Sequence, residues 1–196
     1  MNRKPLRQSV RVRLMKSMST VCVFLVCLMI CGSCDTTWPY RDVNFDQCIT
    51  IISTAYGDDE AVTFHFYHDG ALLFEWGDGK KTYYERFPCT VHGIPSVSHV
   101  YKDSIKHTIK IYGNIDQLYS DCNYLTELDA SKNTSATYFS IQGNLFTSDA
   151  LNRFFHTLVE TVEEDEKLVS IFGSPGSFEC DISIATEKGW NVRNHN

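Results

Sequence analysis

Three stretches of the chain repeat one spacing of apolar and asparagine residues: Leu118, Ser120 and Asn123; Leu128, Ala130 and Asn133; Phe139, Ile141 and Asn144. The first and third lie 21 residues apart, with Leu125 and Phe146 in step behind them. A period of that length marks stacked coils, each of which buries its apolar rung only against a neighbour. Leu118 and Leu128 then point inward, and Asn123, Asn133 and Asn144 bond turning backbone whose amides no strand pairs. The expected shape is roughly two coils of a short solenoid. By strand alternation Tyr119, Asp121, Ser140 and Gln142 face outward, and these four are the candidate binding residues. Plain solvent exposure is the simpler reading of the same positions.

Two coils alone are marginal without a cap. Ser148 precedes Ala150, Leu151, Phe154, Phe155, Leu158 and Val159 at helical spacing, so a helix is expected behind Ser148 as its N-cap. Residues 168–172 read as a short strand, and 178–187 as a closing helix onto which Trp190 packs.

Upstream the period changes to two. Ile49 and Ile51, then Val62, Phe64 and Phe66, then Leu72, Phe74 and Trp76, then Ile109 and Ile111 each put one apolar face inward. GDDE at 57–60, HDG at 68–70 and GDGK at 77–80 separate these runs as turns. Short strands so spaced predict an antiparallel sandwich. At the last turn Asp78 bonds turn amides, while Gly77 and Gly79 take the dihedrals that close a tight hairpin.

The first 17 residues hold Arg3, Lys4, Arg7, Arg11, Arg13 and Lys16 and no acid, and an apolar run over 21–30 follows. This is the pattern of a secretory leader, too short to span a bilayer as a helix. The leader ends in ICGSC at 30–34, which resembles a bacterial lipobox, so residues 1–33 are read as a lipoprotein signal and Cys34 as the lipidated N-terminus. Ordinary signal cleavage near Gly32 or Ser33 is the alternative. Six of the 18 basic residues and none of the 24 acidic ones precede Cys34, so 12 bases remain against 24 acids and the mature charge is about −12. Such a surface repels phosphate backbones and argues against nucleic acid as a partner. Residues 34–45 read as a tether.

Cys48, Cys89, Cys122 and Cys180 follow, with three connectivities open in an oxidising envelope and no CxxC spacing to suggest zinc. His65 and His68 lie three apart, so on a strand they face opposite sides and no shared metal ion is expected. Asp58, Asp59 and Glu60 read as turn carboxylates, since no GDG is embedded in a calcium-loop spacing. No GxSxG nucleophile motif occurs. No catalytic residue, metal or cofactor is therefore assigned. Trp76 and Trp190 read as core; Trp38, Tyr119 and Tyr138 offer stacking platforms. Residues 35–37 and 103–105 resemble D-S/T-x glycosylation acceptors, and 133–135 form an N-x-S acceptor.

ALLFEWGDG at 71–79, HVY at 99–101 and HTIKIYGNI at 107–115 resemble the PKD-like domains of Bacteroidetes surface lipoproteins. LTELDASKNT at 125–134 is similar to the leucine-rich segment LTxLDxSxNT that follows the sandwich in such proteins, and CDISIATEKGW at 180–190 to their ending CDxSIAxxKGW. The likeness covers roughly residues 60–193. It departs at Ala136, where a leucine is usual, at Ser120, where a cysteine is common, and in the long loop at 88–98. It implies an α+β chain with a PKD/Ig-like antiparallel β-sandwich at 46–113 and a short leucine-rich repeat with helical cap at 114–196. The function expected from all this is a non-enzymatic lipoprotein of the outer membrane, on its surface or periplasmic face, that binds a protein or glycan. A glycan hydrolase using Glu75 or Asp78, and a structural spacer that binds nothing, are the alternatives. Expressed with its leader in a Gram-negative host, the chain is expected to take up labelled palmitate and sediment with membranes, and Cys34→Ala to lose both; labelling that persists in the variant refutes the lipobox.

Overall fold

The computed structural model describes residues 40, 42–54, 61–85, 94–161 and 166–195. The expected leader, the expected lipidation residue Cys34, Trp38, the acids Asp58 to Glu60 and Cys89 lie outside the described residues. Asp42–Asn196 forms one compact unit. It is β-rich and of the α+β class, and its described strands join in one mixed sheet of nine. Among the described residues no helix is long and apolar enough to cross a membrane.

The alternating segments become β1 (Cys48–Thr54), β2 (Ala61–Glu75), β3 (Lys81–Tyr84), β4 (Ser96–Val100) and β5 (Lys106–Tyr119). Every pairing among them is antiparallel: β2 with β3, β4 and β5, and β5 with β1. The turn at 77–80 closes β2 onto β3, opposing Glu75 to Lys81, and Gly77 has φ +81° with Thr108 backbone 2.6 Å from where a Cβ would stand. The HDG at 68–70 behaves otherwise. Rather than separating two strands it lies inside β2, where the register with β5 shifts between Tyr67 and His68 and again between Asp69 and Leu73. Gly70, at φ +82°, absorbs the extra residues as a bulge.

β5 carries the rest of the sheet. Its first half, 106–112, pairs with β1, and its last three residues pair in parallel with β7 (Tyr138–Ser140). The switch falls at Gly113, which has φ +119° and where a Cβ would meet Ala71 O at 2.6 Å. The expected domain boundary at 113/114 thus lies inside a continuous strand.

Beyond it, β7 pairs in parallel with β8 (Lys167–Ser170), and β8 with β9 (Trp190–Arg193). Leu118 lies opposite Phe139, Phe139 opposite Val169 and Val169 opposite Val192. The first and third triplets therefore stack in register. The middle one does not: Leu128 sits on β6 (Leu125–Lys132), which runs antiparallel to β1, opposite Ile51. Ile51 is fully buried, and beside its strand Leu128 and Ala130 are buried too.

Asn144 joins the rungs. Its carboxamide oxygen accepts from the Asn123 amide at 2.9 Å and the Leu125 amide at 3.0 Å, and its nitrogen donates to the carbonyls of Ser120 and Ile141, each at 2.9 Å. Asn123 reaches the other way, accepting from Thr63 N and donating to Thr63 O on β2. Asn133 turns locally onto the Ala136 amide. The next rung puts Ser174 where an asparagine would stand, and its buried hydroxyl has no protein partner.

Helix α1 (Ser148–Thr157) caps the core with Leu151, Phe154 and Phe155, all fully buried. Its N-cap is Thr147, not Ser148, because the Thr147 hydroxyl accepts from the Ala150 amide at 3.2 Å. The expected closing helix is only α2 (Ser183–Thr186), preceded by turns, and Phe178 stands 71% exposed. Trp190 packs on Phe139 and donates its indole N–H to Val159 O. Cys48, Cys122 and Cys180 are free thiols. Asn144→Ala strands four backbone groups of a buried turn and is expected to lower stability by roughly 3 kcal/mol in urea unfolding; a loss within about 0.5 kcal/mol, the range of ordinary surface substitutions, contradicts the role given to it.

Candidate functional site

The parallel strands turn alternate side chains away from the core. Opposite one another on that outer side stand Tyr67, Gln117, Tyr138 and Leu168 in one row, and His65, Tyr119, Ser140 and Ser170 in the next. The four residues picked out in the sequence come together here. Asp121 accepts from the Ser140 hydroxyl at 2.7 Å and from the Gln142 amide at 2.8 Å, and the Gln142 side chain donates to Ser140 Oγ at 3.1 Å. Tyr119 lies opposite Ser140 and donates its hydroxyl to Gln117 Oε1 at 2.8 Å.

Ser140 differs from expectation. It is outward by alternation yet only 1% exposed, because Asp121 and Gln142 close over a residue too small to reach past them. It braces the face instead of forming it. Asp121 is exposed, and Tyr119 and Gln142 are half-buried. Tyr67, 45% exposed, was not singled out by the sequence. Its ring meets Tyr119 edge-on at 6.4 Å, and Tyr119 meets Tyr138 at 5.0 Å, so three tyrosines touch across three strands. Burial, then Tyr138 and Tyr67, raise the pKa of Tyr119 above the ordinary phenol value. Next to this row the Ser170 hydroxyl is buried without a protein partner.

The carboxylates of the hydrolase alternative have structural partners. Glu75 accepts from Lys81 and, at 3.4 Å, from the Tyr112 hydroxyl. Asp78 binds the Lys80 amide at 3.0 Å, His99 Nε2 at 2.9 Å and the Lys80 ammonium at 3.3 Å. His99 in turn stacks on Trp76, and Tyr101 donates to Trp76 O at 2.6 Å. The H-x-Y segment thus ties β4 to the GDG hairpin. His65 is exposed, while His68 bonds Gly70 O, so the two histidines serve different surroundings. Among the described residues no three His, Cys, Asp or Glu groups are placed to hold a metal.

Comparison with protein-family models, with curated proteins and with solved structures finds no match to this chain.

The turn around Asp78 is open to solvent, but its side chain keeps 18% of its surface. Burial opposes its charge, and the bonds from Lys80 N, His99 and the Lys80 ammonium outweigh that and lower its pKa to about 2. A folded pKa below the unfolded value means stability that is complete above about pH 4 and lost as pH falls towards 2. Asp78→Asn is therefore expected to cost about 1 kcal/mol at pH 7, after discounting for solvent, and almost nothing at pH 2, as measured by thermal melting across that range; an equal loss at both pH values excludes the charge as the cause.

Proposed function

We propose that the protein is a non-enzymatic, lipid-anchored envelope module whose outer parallel-strand face binds a glycan. The N-terminal antiparallel part is taken as a PKD-like sandwich and the parallel part as a short leucine-rich solenoid capped by α1. The reading of the second part is supported by the in-register rungs and by the Asn144 bonds between them. The anchor rests on the leader and Cys34 alone.

The observation that favours a glycan over a protein is the make-up of the face. Three mutually packed tyrosines supply rigid apolar area for sugar C–H groups, and Gln117, Asp121 and Gln142 place amide and carboxylate groups beside them for hydroxyls. A protein hot spot more often has an apolar pocket filled by a large anchor, and the two cavities that share Thr50 and Asp129 are not lined by these tyrosines. Hydrolysis is disfavoured because Glu75 and Asp78 are engaged in holding the hairpin. Bacterial envelope and host polysaccharides should be screened on an array, with Tyr119→Ala and Gln142→Ala alongside. Retention of a saccharide that falls about tenfold or more in both variants, with melting temperature unchanged, is the expected result. Array silence combined with specific capture of an envelope protein moves the reading to a protein ligand, and silence in both to a spacer.

A further inference from the structure

A second surface lies on the antiparallel side, away from the tyrosines in the strand order. β1 runs between β5 and β6, and its outward residues Cys48, Thr50 and Ile52 make the floor of a trough. Register gives the walls. Thr50 is flanked by Lys110 on β5 and Asp129 on β6, Cys48 by Tyr112 and Lys132, and Ile52 by Thr108 and Glu127. The space above consists of two adjoining cavities of about 250 and 330 Å³ that share Thr50 and Asp129 as lining. Arg153 of α1 closes the far end.

The charges are separated along this trough. Lys110 and Lys132 approach from opposite walls at the Cys48 end, and among the described residues neither has an ion-pair partner, in a chain with twice as many acids as bases after its leader. Asp129 and Glu127 stand towards the Ile52 end. One Asp129 oxygen accepts from the Ser131 amide, and Glu127 has only a 3.9 Å contact with Arg153 between two exposed side chains. Such a pair is worth little and is readily given up. The two lysines centre between Cys48 and Thr50, and the two acids between Thr50 and Ile52, which puts the centres two strand residues, about 7 Å, apart. An extended dipeptide separates its ammonium from its carboxylate by about the same distance.

We propose that this trough binds a short peptide with both ends free, its carboxylate held between Lys110 and Lys132 at the Cys48 end and its ammonium facing Asp129 and Glu127 at the Ile52 end. The site is independent of the tyrosine face. Neither end alone suits a simple anion or cation, because Asp129 lies in the same row as Lys110, whereas a zwitterion satisfies both at once. The charges stand on the walls and the floor is made of the small or apolar side chains of Cys48, Thr50 and Ile52, so backbone termini are recognised and small side chains are tolerated over Ile52.

Calorimetric titration of the full chain at low salt with Ala-Ala, N-acetyl-Ala-Ala and Ala-Ala-amide tests this directly. Saturable Ala-Ala binding at millimolar concentration or tighter is expected, weakened at least about tenfold when either end is blocked. The double variant Lys110→Gln, Lys132→Gln alters exposed side chains and is expected to keep the wild-type melting temperature while losing Ala-Ala to the same degree; Glu127→Gln weakens it less. Absence of Ala-Ala binding overturns the proposal, as does binding that survives the lysine changes. Equal affinity for the N-acetylated dipeptide overturns it too, leaving an anion site only.

Discussion

The sheet depends on one strand being able to change partners partway along its length. β5 pairs with β2 on one edge from Lys110 to Tyr119, but on the other it pairs antiparallel with β1 before Gly113 and parallel with β7 after Ile115. Only a residue without a Cβ fits at the switch, because Ala71 O and the Leu72 side chain both come within 2.6 Å of where one would stand. The register shifts beside this point leave one extra residue on β5, Asp116, and two on β2 between Asp69 and Leu73, so both strands bend together and stay bonded. A single hydrophobic core then runs from Phe64 and Trp76 through Ile111 and Leu118 to Phe139 and Phe154.

Antiparallel and parallel halves solve the same backbone problem differently. In the first, β2 meets β3 through a hairpin while β5 meets β1 and β2 across longer stretches of chain, and the antiparallel ladder itself satisfies the amides. In the second, the chain must leave one strand and return beside it by way of β6, α1 or α2, and the turns where it leaves have amides that no ladder reaches. Asn144 answers for one such turn and Asn123 ties it to β2. At Ser174 the side chain is too short to do the same. The outer face inherits its rigidity from this arrangement, since Tyr67, Tyr119 and Tyr138 stand on three strands whose spacing the ladder sets.

Much of the fold was legible because burial and turn chemistry are local in sequence. Two-residue periodicity placed β1, β2 and β5; the GDG residues placed the hairpin; helical spacing placed the start of α1 within a residue but ran on to Val159, two residues past its end at Thr157. The HDG bulge was misread as a turn because Asp-Gly serves both, and only the continuous apolar demand of Phe66 and Leu72 on the same core decides between them. The third parallel rung escaped notice for a related reason. Val169, Ile171 and Ser174 repeat the spacing of Phe139, Ile141 and Asn144, but α1 stretches the interval to 30 residues and serine replaces the signal asparagine.

By itself the sequence determined the apolar faces of β1, β2 and β5, the GDG turn and the asparagines Asn123 and Asn144 at the first rungs, because each follows from side-chain chemistry within a few neighbours. Tertiary structure alone decided that Leu128 belongs to an antiparallel strand, that Ser140 is covered, that Tyr67 joins Tyr119 and that Lys110 faces Asp129 across Thr50. Those facts depend on which strands become neighbours. Strand pairing is a global competition for apolar surface among segments far apart in the chain, and no local pattern records its outcome.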